Sequence, residues 1–240
     1  MLRAVFFDID DTLFSTTEFS QHAREKAVEA MIRNGLQTSR EEALRELRGV
    51  VEEFGSNDDR HFNRLLDRLP RAATAEANRT LLIVAGVMAY HETKWKELHI
   101  IPASQRLLED LTRTELKLGI ITSGLTNKQM EKILRLGLQK VVHPKHIFIT
   151  DQLGIAKSNP KLYRLAARRT GVKPAEAMHV GDHPLNDVQT AKRAGFIATW
   201  HHGSGKYAWL KPDTPPDHII NNVEELRGIL TGQYGVPLGA

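Results

Sequence analysis

Residues 4 to 14 read AVFFDIDDTLF. An apolar run of four is followed by three carboxylates within four positions, Asp8, Asp10 and Asp11. Neighbouring aspartates repel one another and weaken a strand. Such a segment folds only if its apolar half is buried and its acidic end emerges where positive charge can gather. A strand inside a parallel sheet meets both conditions, because ligands bind beyond the carboxyl ends of such strands.

The rest of the chain has two textures. From residue 16 to about 97 the pattern is helical. AREKAVEAMIRNG puts Ala23, Ala27, Ala30 and Met31 on one face and stops at Gly35. SREEALRELRGVVEEFG opens with Ser39 and Glu42 at capping-box spacing, carries Leu44, Leu47, Val51 and Phe54 as a stripe, and ends at Gly55. DDRHFNRLLDRLP gives a shorter helix closed by Pro70. The segment AEANRTLLIVAGVMAYHETKWKEL is apolar over so much of its surface that burial is expected. Four helices in succession predict a small bundle.

From residue 98 short apolar runs alternate with helical stretches. LKLGII, HIFIT, AMHV, FIATW and HII read as strands. TNKQMEKILRLG, NPKLYRLAARRTG, NDVQTAKRAG and NVEELRGIL read as helices, with Asn159 and Pro160 opening the second and Gly171 and Gly195 as stops. This alternation predicts a doubly wound α/β parallel sheet to which AVFF also belongs, so the helical segment interrupts the α/β unit after its first strand. The boundaries expected are 1–15 with 98–240 for the α/β core and 16–97 for the helical insert. The closing GQYGVPLGA is expected to fray.

The strand ends then carry the chemistry. DIDDT follows the first, TSG the second, a loop with GIAKSNP the third and GDHPLND the fourth. Together they assemble Asp8, Asp10, Asp182 and Asp187 with Lys157, hydroxyls and glycines.

Composition bounds the partners. The 240 residues include no cysteine, which excludes disulfides, thiolate metal sites and cysteine nucleophiles. No run approaches the length of a membrane span or of a signal-peptide core, so a cytoplasmic protein without membrane association is expected. The net charge of +4 raises the prospect of polyanion binding, but the positive charges are dispersed. A small phosphorylated molecule is a better match than nucleic acid, and a homodimer stays open.

These four segments, Asp8-x-Asp10-x-Thr12, Thr122-Ser123-Gly124, Lys157 with Pro160 three residues on, and Gly181-Asp182-x4-Asp187, resemble in order the four motifs of the haloacid dehalogenase superfamily. The helical insert resembles that superfamily's subfamily I cap. Ser158, where a proline often follows the lysine, is a mild departure. The resemblance implies an Mg²⁺-dependent phosphatase working through an aspartyl phosphate on a small phosphorylated metabolite. Asp8 is then the nucleophile and Asp10 the general acid and base. Asp8, the Asp10 carbonyl and Asp182 hold the metal, and Asp187 lies behind them, orienting Lys157 or meeting the metal through water. Thr122 and the amides of Ser123 and Gly124 receive the phosphoryl oxygens. Lys157 is the one lysine in the four motifs, so four carboxylates, one lysine and one dication leave the site at −1 until Asp10 is protonated. An acid at position 10 points to phosphate esters, whether the phosphoryl group goes to water or, as in a phosphomutase, to a second hydroxyl. A polyanion- or RNA-binding protein is the reading from another class.

Other residues get plainer readings. Strand alternation turns Asp11 to solvent. His183 is a candidate substrate contact, and Asp187 a candidate helix cap. His201 and His202, adjacent in extended chain, point apart and make a poor chelating pair. Tyr90, Trp95 and Tyr163 read as packing residues, and the small residues of AGVMA as core spacing.

Overall fold

The structure, a computed structural model, describes residues 1–203, 207 and 209–238. The chain divides into two compact units, Met1–Thr17 with His99–Ala240, and Glu18–Leu98.

The first unit is a six-stranded, wholly parallel sheet. Its strands are β1 (Ala4–Phe7), β2 (Lys117–Thr122), β3 (Ile147–Ile149), β4 (Ala177–Gly181), β5 (Ile197–His201) and β6 (His218–Ile220), in the order β3-β2-β1-β4-β5-β6. β1 is central, with Phe7 level with Ile120 of β2 and Val180 of β4. Every β1 side chain is fully buried, as an apolar run without alternation requires of a strand covered on both faces. Phe6 meets Phe148 edge-on and Phe196 in a tilted ring contact, and Gly119 makes room for it: a Cβ there would sit 2.4 Å from the Phe6 ring. The chain order reverses between β1 and β4, which places the sheet's ligand-binding crevice beyond their carboxyl ends.

The other unit is helical: α1 (Thr16–Arg33), α2 (Arg40–Phe54), α3 (His61–Arg68) and α4 (Arg79–Glu97). Its core gathers Ala27, Met31, Leu47, Leu65, Leu66 and Leu82. Several local expectations change here. The inward stripe of α2 is Ala43, Leu47 and Val50, while Phe54 is exposed and lies beneath the Arg64 guanidinium at 3.7 Å. Ser39 caps the Glu42 amide, but the Glu42 carboxylate accepts from Thr38 instead of closing the box. α4 is not buried all round. Leu82, Gly86 and Thr93 turn inward, whereas Leu81, Val84, Met88 and Trp95 are exposed, so Trp95 is not a core residue. The short bundle covers one face of α4, and a Cβ at Gly86 would already press on Met31 Sδ at 3.0 Å.

The remaining helices are α5 (Pro102–Leu111), α6 (Thr126–Arg135), α7 (Thr150–Leu153), α8 (Pro160–Thr170), α9 (Thr190–Ala194) and α10 (Glu225–Tyr234), with a π-helical turn, Pro184–Gln189, leading into α9. α5 has no counterpart in the sequence reading; it buries Leu107, Leu108 and Leu111. The chain end does not fray as expected: α10 runs to Tyr234 and Val236 is buried, while Gly239 and Ala240 lie outside the described residues. No helix among the described residues is long and apolar enough to cross a membrane.

Candidate active site

β1 ends at Phe7, and the amide of the next residue, Asp8, still donates to the Val180 carbonyl at 2.9 Å. This last ladder bond fixes where the Asp8 carboxylate leaves the sheet. Asp182 follows β4 directly, and its carbonyl is held by Trp200 Nε1–H at 2.9 Å. Asp187 comes back to the same place through the π-helical turn. Gly181 makes that return possible, since a Cβ there would fall 2.3 Å from Asp187 Cγ. One carboxylate oxygen each from Asp8, Asp182 and Asp187 lies within 4.8 Å of the others, and all three residues are buried.

Lys157 enters from the loop before α8, which Asn159 caps through the Lys161 amide. Its Nζ is 2.7 Å from Asp8 and 2.5 Å from Asp187, and the side chain is 5% exposed. Asp187 also accepts from the His179 Nε2–H at 2.9 Å and from the His183 amide at 3.0 Å. It is therefore not a helix cap. His183 takes that place, its Nδ1 accepting from the Leu185 and Asn186 amides while its ring stacks on Tyr207, with centroids 4.2 Å apart.

The electrostatics follow from this packing. Burial pushes the Asp182 carboxyl up to about 9, with the Asp187 and Asp8 charges adding. Burial also pushes Asp8 up to about 7 against the pull of Lys157. Burial would raise Asp187 as well, but Lys157 and His179 overcome it and hold that carboxyl well below its usual range. Burial would discharge Lys157, yet the Asp187 and Asp8 carboxylates hold its ammonium above its usual value, so it is charged. Burial keeps His179 below its ordinary value and thus neutral, as an Nε2–H donor to Asp187. Two carboxyls pushed up beside one compensated pair mark a site with more negative charge than its one lysine balances. A hard-oxygen donor set of this kind suits a small divalent cation.

Asp10 lies in different surroundings. Its Oδ1 accepts from the Thr16 hydroxyl and from Lys132 Nζ at 2.5 Å, and its Oδ2 from Gln129 Nε2 at 3.0 Å. Burial favours the neutral acid, but the Lys132 charge and these hydrogen bonds hold the carboxyl below its usual range. Lys132 and Gln129, on α6, were absent from the sequence reading. The charge count based on one lysine is corrected accordingly: with Lys132 included, a dication balances the four carboxylates while Asp10 is still ionised.

The Thr122 hydroxyl, at the end of β2, is buried without a hydrogen-bond partner among the described residues. Ser123 is exposed, and its carbonyl accepts from Gln129 Nε2 at 2.7 Å. The Gly124 amide donates to the Thr150 hydroxyl at 3.2 Å. Gly124 is needed for its positive φ of 133° and because a Cβ would lie 2.7 Å from Gln129 Nε2. Asp11 corrects another expectation. It adopts a φ of 55°, is buried, and accepts from the Thr17 amide and hydroxyl at 2.8 and 2.7 Å. The loop, not strand alternation, sets its direction. His201 is buried and donates through Nδ1 to the Asp11 carbonyl at 3.3 Å; His202 packs on Trp200, so the two do not chelate. Tyr163 is fully buried against His179 and Phe196.

Comparison with known proteins agrees with this geometry. The chain is 43% identical over 235 residues to a glyceraldehyde 3-phosphate phosphatase of Methanopyrus kandleri, covering 96% of this chain and 97% of that one. It is 36% identical to the protein of the same name from Pyrococcus furiosus, over 98% of this chain and 95% of that one. Among solved structures, a HAD phosphatase from Thermococcus onnurineus superposes with a TM-score of 0.63 at 26% identity, over 96% and 99% of the two chains. The family model for haloacid dehalogenase-like hydrolases matches residues 2–195. With four motif segments converging on one crevice of a parallel sheet, the chain belongs to the haloacid dehalogenase-like hydrolases.

Proposed function

We propose that this phosphatase hydrolyses glyceraldehyde 3-phosphate with Mg²⁺, using Asp8 as nucleophile and Asp10 as general acid and base. The observation that carries the substrate is the 43% identity, along nearly the whole of both chains, to a glyceraldehyde 3-phosphate phosphatase. The observation behind the chemistry is the meeting of Asp8, Asp182, Asp187 and Lys157 at the strand ends, with Asp10 two residues on from Asp8.

Asp8, Asp182 and Asp187 offer the carboxylates for the metal, and the family resemblance adds the Asp10 carbonyl as a further oxygen. When bound, Mg²⁺ supplies positive charge that offsets the phosphate dianion and polarises its oxygens. An Asp8 oxygen attacks phosphorus, forming an acyl phosphate as the ester P–O bond breaks. Asp10 gives its proton to the departing alkoxide oxygen. Water then attacks the same phosphorus, Asp10 takes its proton, and the Asp8–phosphorus bond breaks to release phosphate. Asp10 as it stands is in the acceptor form of the second step. A phosphate dianion beside it favours the protonated form that the first step requires.

Lys157, charged and anchored on Asp8 and Asp187, keeps the nucleophile oriented and offsets charge on the phosphoryl group. The buried Thr122 hydroxyl, without a partner among the described residues, is available to a phosphoryl oxygen. The α/β unit, taken as 1–15 with 98–240, carries this chemistry. The helical insert, 16–97, is the cap that selects the substrate.

The test is release of inorganic phosphate from a panel of phosphorylated three- to six-carbon metabolites with Mg²⁺, run beside Asp8→Asn. Glyceraldehyde 3-phosphate should lead the panel and Asp8→Asn should be inactive. Full turnover by Asp8→Asn would remove the nucleophile assignment, and a phosphorylated isomer in place of free phosphate would make the enzyme a mutase.

A further inference from the structure

α6 presents Gln129 and Lys132 three residues apart, hence on one face. Both reach the same carboxylate. Lys132 Nζ is 2.5 Å from Asp10 Oδ1 with only 16% of its side chain exposed, and Gln129 Nε2 is 3.0 Å from Asp10 Oδ2. Gln129 is 4% exposed and also ties Asp10 to the Ser123 carbonyl, at 2.7 Å. With the Thr16 hydroxyl, donors from two further segments pin both oxygens of one side chain. Three features indicate that the arrangement is not simply packing. Gly124 must lack a Cβ for Gln129 to fit. The Gln129 Oε1 is left buried without a partner among the described residues, a penalty that an apolar residue would avoid. Lys132 gives up most of the hydration that a surface lysine keeps.

We propose that Gln129 and Lys132 are positioning residues that hold the Asp10 carboxylate where it exchanges a proton with the leaving-group oxygen and the attacking water. This rests on Asp10 being the general acid and base. A carboxylate beside a strand exit turns freely about two side-chain torsions, and proton transfer needs it within hydrogen-bond reach of one oxygen. Two donors on a rigid helix remove that freedom. Neither residue need touch the substrate for the effect to appear in kcat.

Leaving-group dependence separates this role from a merely structural one. An alkyl phosphate such as glyceraldehyde 3-phosphate expels an alkoxide that needs a proton, whereas p-nitrophenyl phosphate expels a stable anion. Both are assayed with Mg²⁺ for wild type, Lys132→Met, Lys132→Arg, Gln129→Leu and Asp10→Asn, with thermal unfolding of each. Lys132→Met keeps the stem and should slow the first half-reaction, read as single-turnover release of the leaving group, about 30-fold on the alkyl phosphate, with nitrophenolate release changed less than about threefold. KM should hold on both, and Lys132→Arg should regain most of the loss. Gln129→Leu should show the same selectivity to a smaller degree, and Asp10→Asn to a larger one. Equal losses on both substrates in Lys132→Met, or a change in KM alone, overturn the proposal if Asp10→Asn still discriminates. If Asp10→Asn itself does not discriminate, the acid–base assignment falls and the positioning role falls with it.

Discussion

The floor of the site and its rim treat the same side chain in opposite ways. On the floor, Asp8 and Asp182 are buried among other carboxylates and are pushed up to about 7 and 9, because burial outweighs the single lysine they share with Asp187. On the rim, two residues along the chain from Asp8, Asp10 is held low, because Lys132 is its own partner and three hydrogen-bond donors converge on it. The contrast teaches that proximity along the chain does not set a carboxylate's state. The ratio of partners to burial does. A floor short of positive charge is a place for a cation, and a rim with a charge-matched, fully bonded carboxylate is a place for proton exchange.

The largest effect should come from the floor. Asp8→Asn keeps the shape and removes the attacking oxygen, and single-turnover and steady-state assays should show a loss on the order of 10⁴-fold or more. Lys157→Met leaves Asp187 and Asp8 buried together without their cation. It should lower kcat about 10²- to 10³-fold and lower the melting temperature, since one partner removed from a buried ion pair costs about 3–5 kcal/mol. A fall in kcat without loss of stability would show that Lys157 is not the counter-charge of the floor.

Asp182→Asn should raise the Mg²⁺ concentration for half-maximal activity at least about 10-fold, read by titration after chelation. If the requirement does not change, Asp182 is not a ligand.

The pH dependence of stability sharpens the contrast. Asp8 and Asp182 hold their protons more tightly folded than unfolded. Their contribution is therefore fully present below the ordinary carboxylate range and is lost as pH rises through about 7 and then about 9. Metal-free protein should melt at progressively lower temperature from pH 6 to pH 9, and Mg²⁺ should raise the melting temperature more at pH 9 than at pH 6. Equal stabilisation at both pH values would mean that the ion does not bind these carboxylates. The rim should give the smallest effect: Thr16→Val removes one donor of several and should lower kcat about threefold to tenfold, as loss of a hydrogen bond to a charged group does.

Much of this was legible in the sequence. The strand tips could be read because an apolar run ending in acids has one sensible placement in a parallel sheet, and Asp8, Lys157, Asp182 and Asp187 do meet there. Lys132 could not be read in the same way. It stands in TNKQMEKILRLG beside Lys128, and both look like solvated lysines of an amphipathic helix. Only the placement of α6 in the folded chain brings Lys132 to Asp10. The available signal was positional: Gln129 and Lys132 share a face in the first two turns after the Thr-Ser-Gly segment. Asp11 was misjudged because strand alternation was extended past Phe7, where the chain already turns, with a positive φ at Asp11 itself. An apolar helix invites the expectation of neighbours on all sides, and the five exposed apolar positions of α4, Leu81, Val84, Val87, Met88 and Trp95, show that it lacks them.

The sequence by itself determined the parallel α/β unit, the helical insertion and the acids offered at the strand ends, because hydrophobic periodicity and turn chemistry are local and survive without a partner. Only the tertiary structure decided which carboxylates are buried together, which lysine answers which carboxylate, and why Gly124 and Gly181 have no side chain. The pairings depend on distances of a few ångströms between segments far apart in the chain, such as Asp10 and Lys132, where Coulomb energy and desolvation are both large and nearly cancel; the glycines answer to Gln129 and Asp187, side chains that return within a few residues.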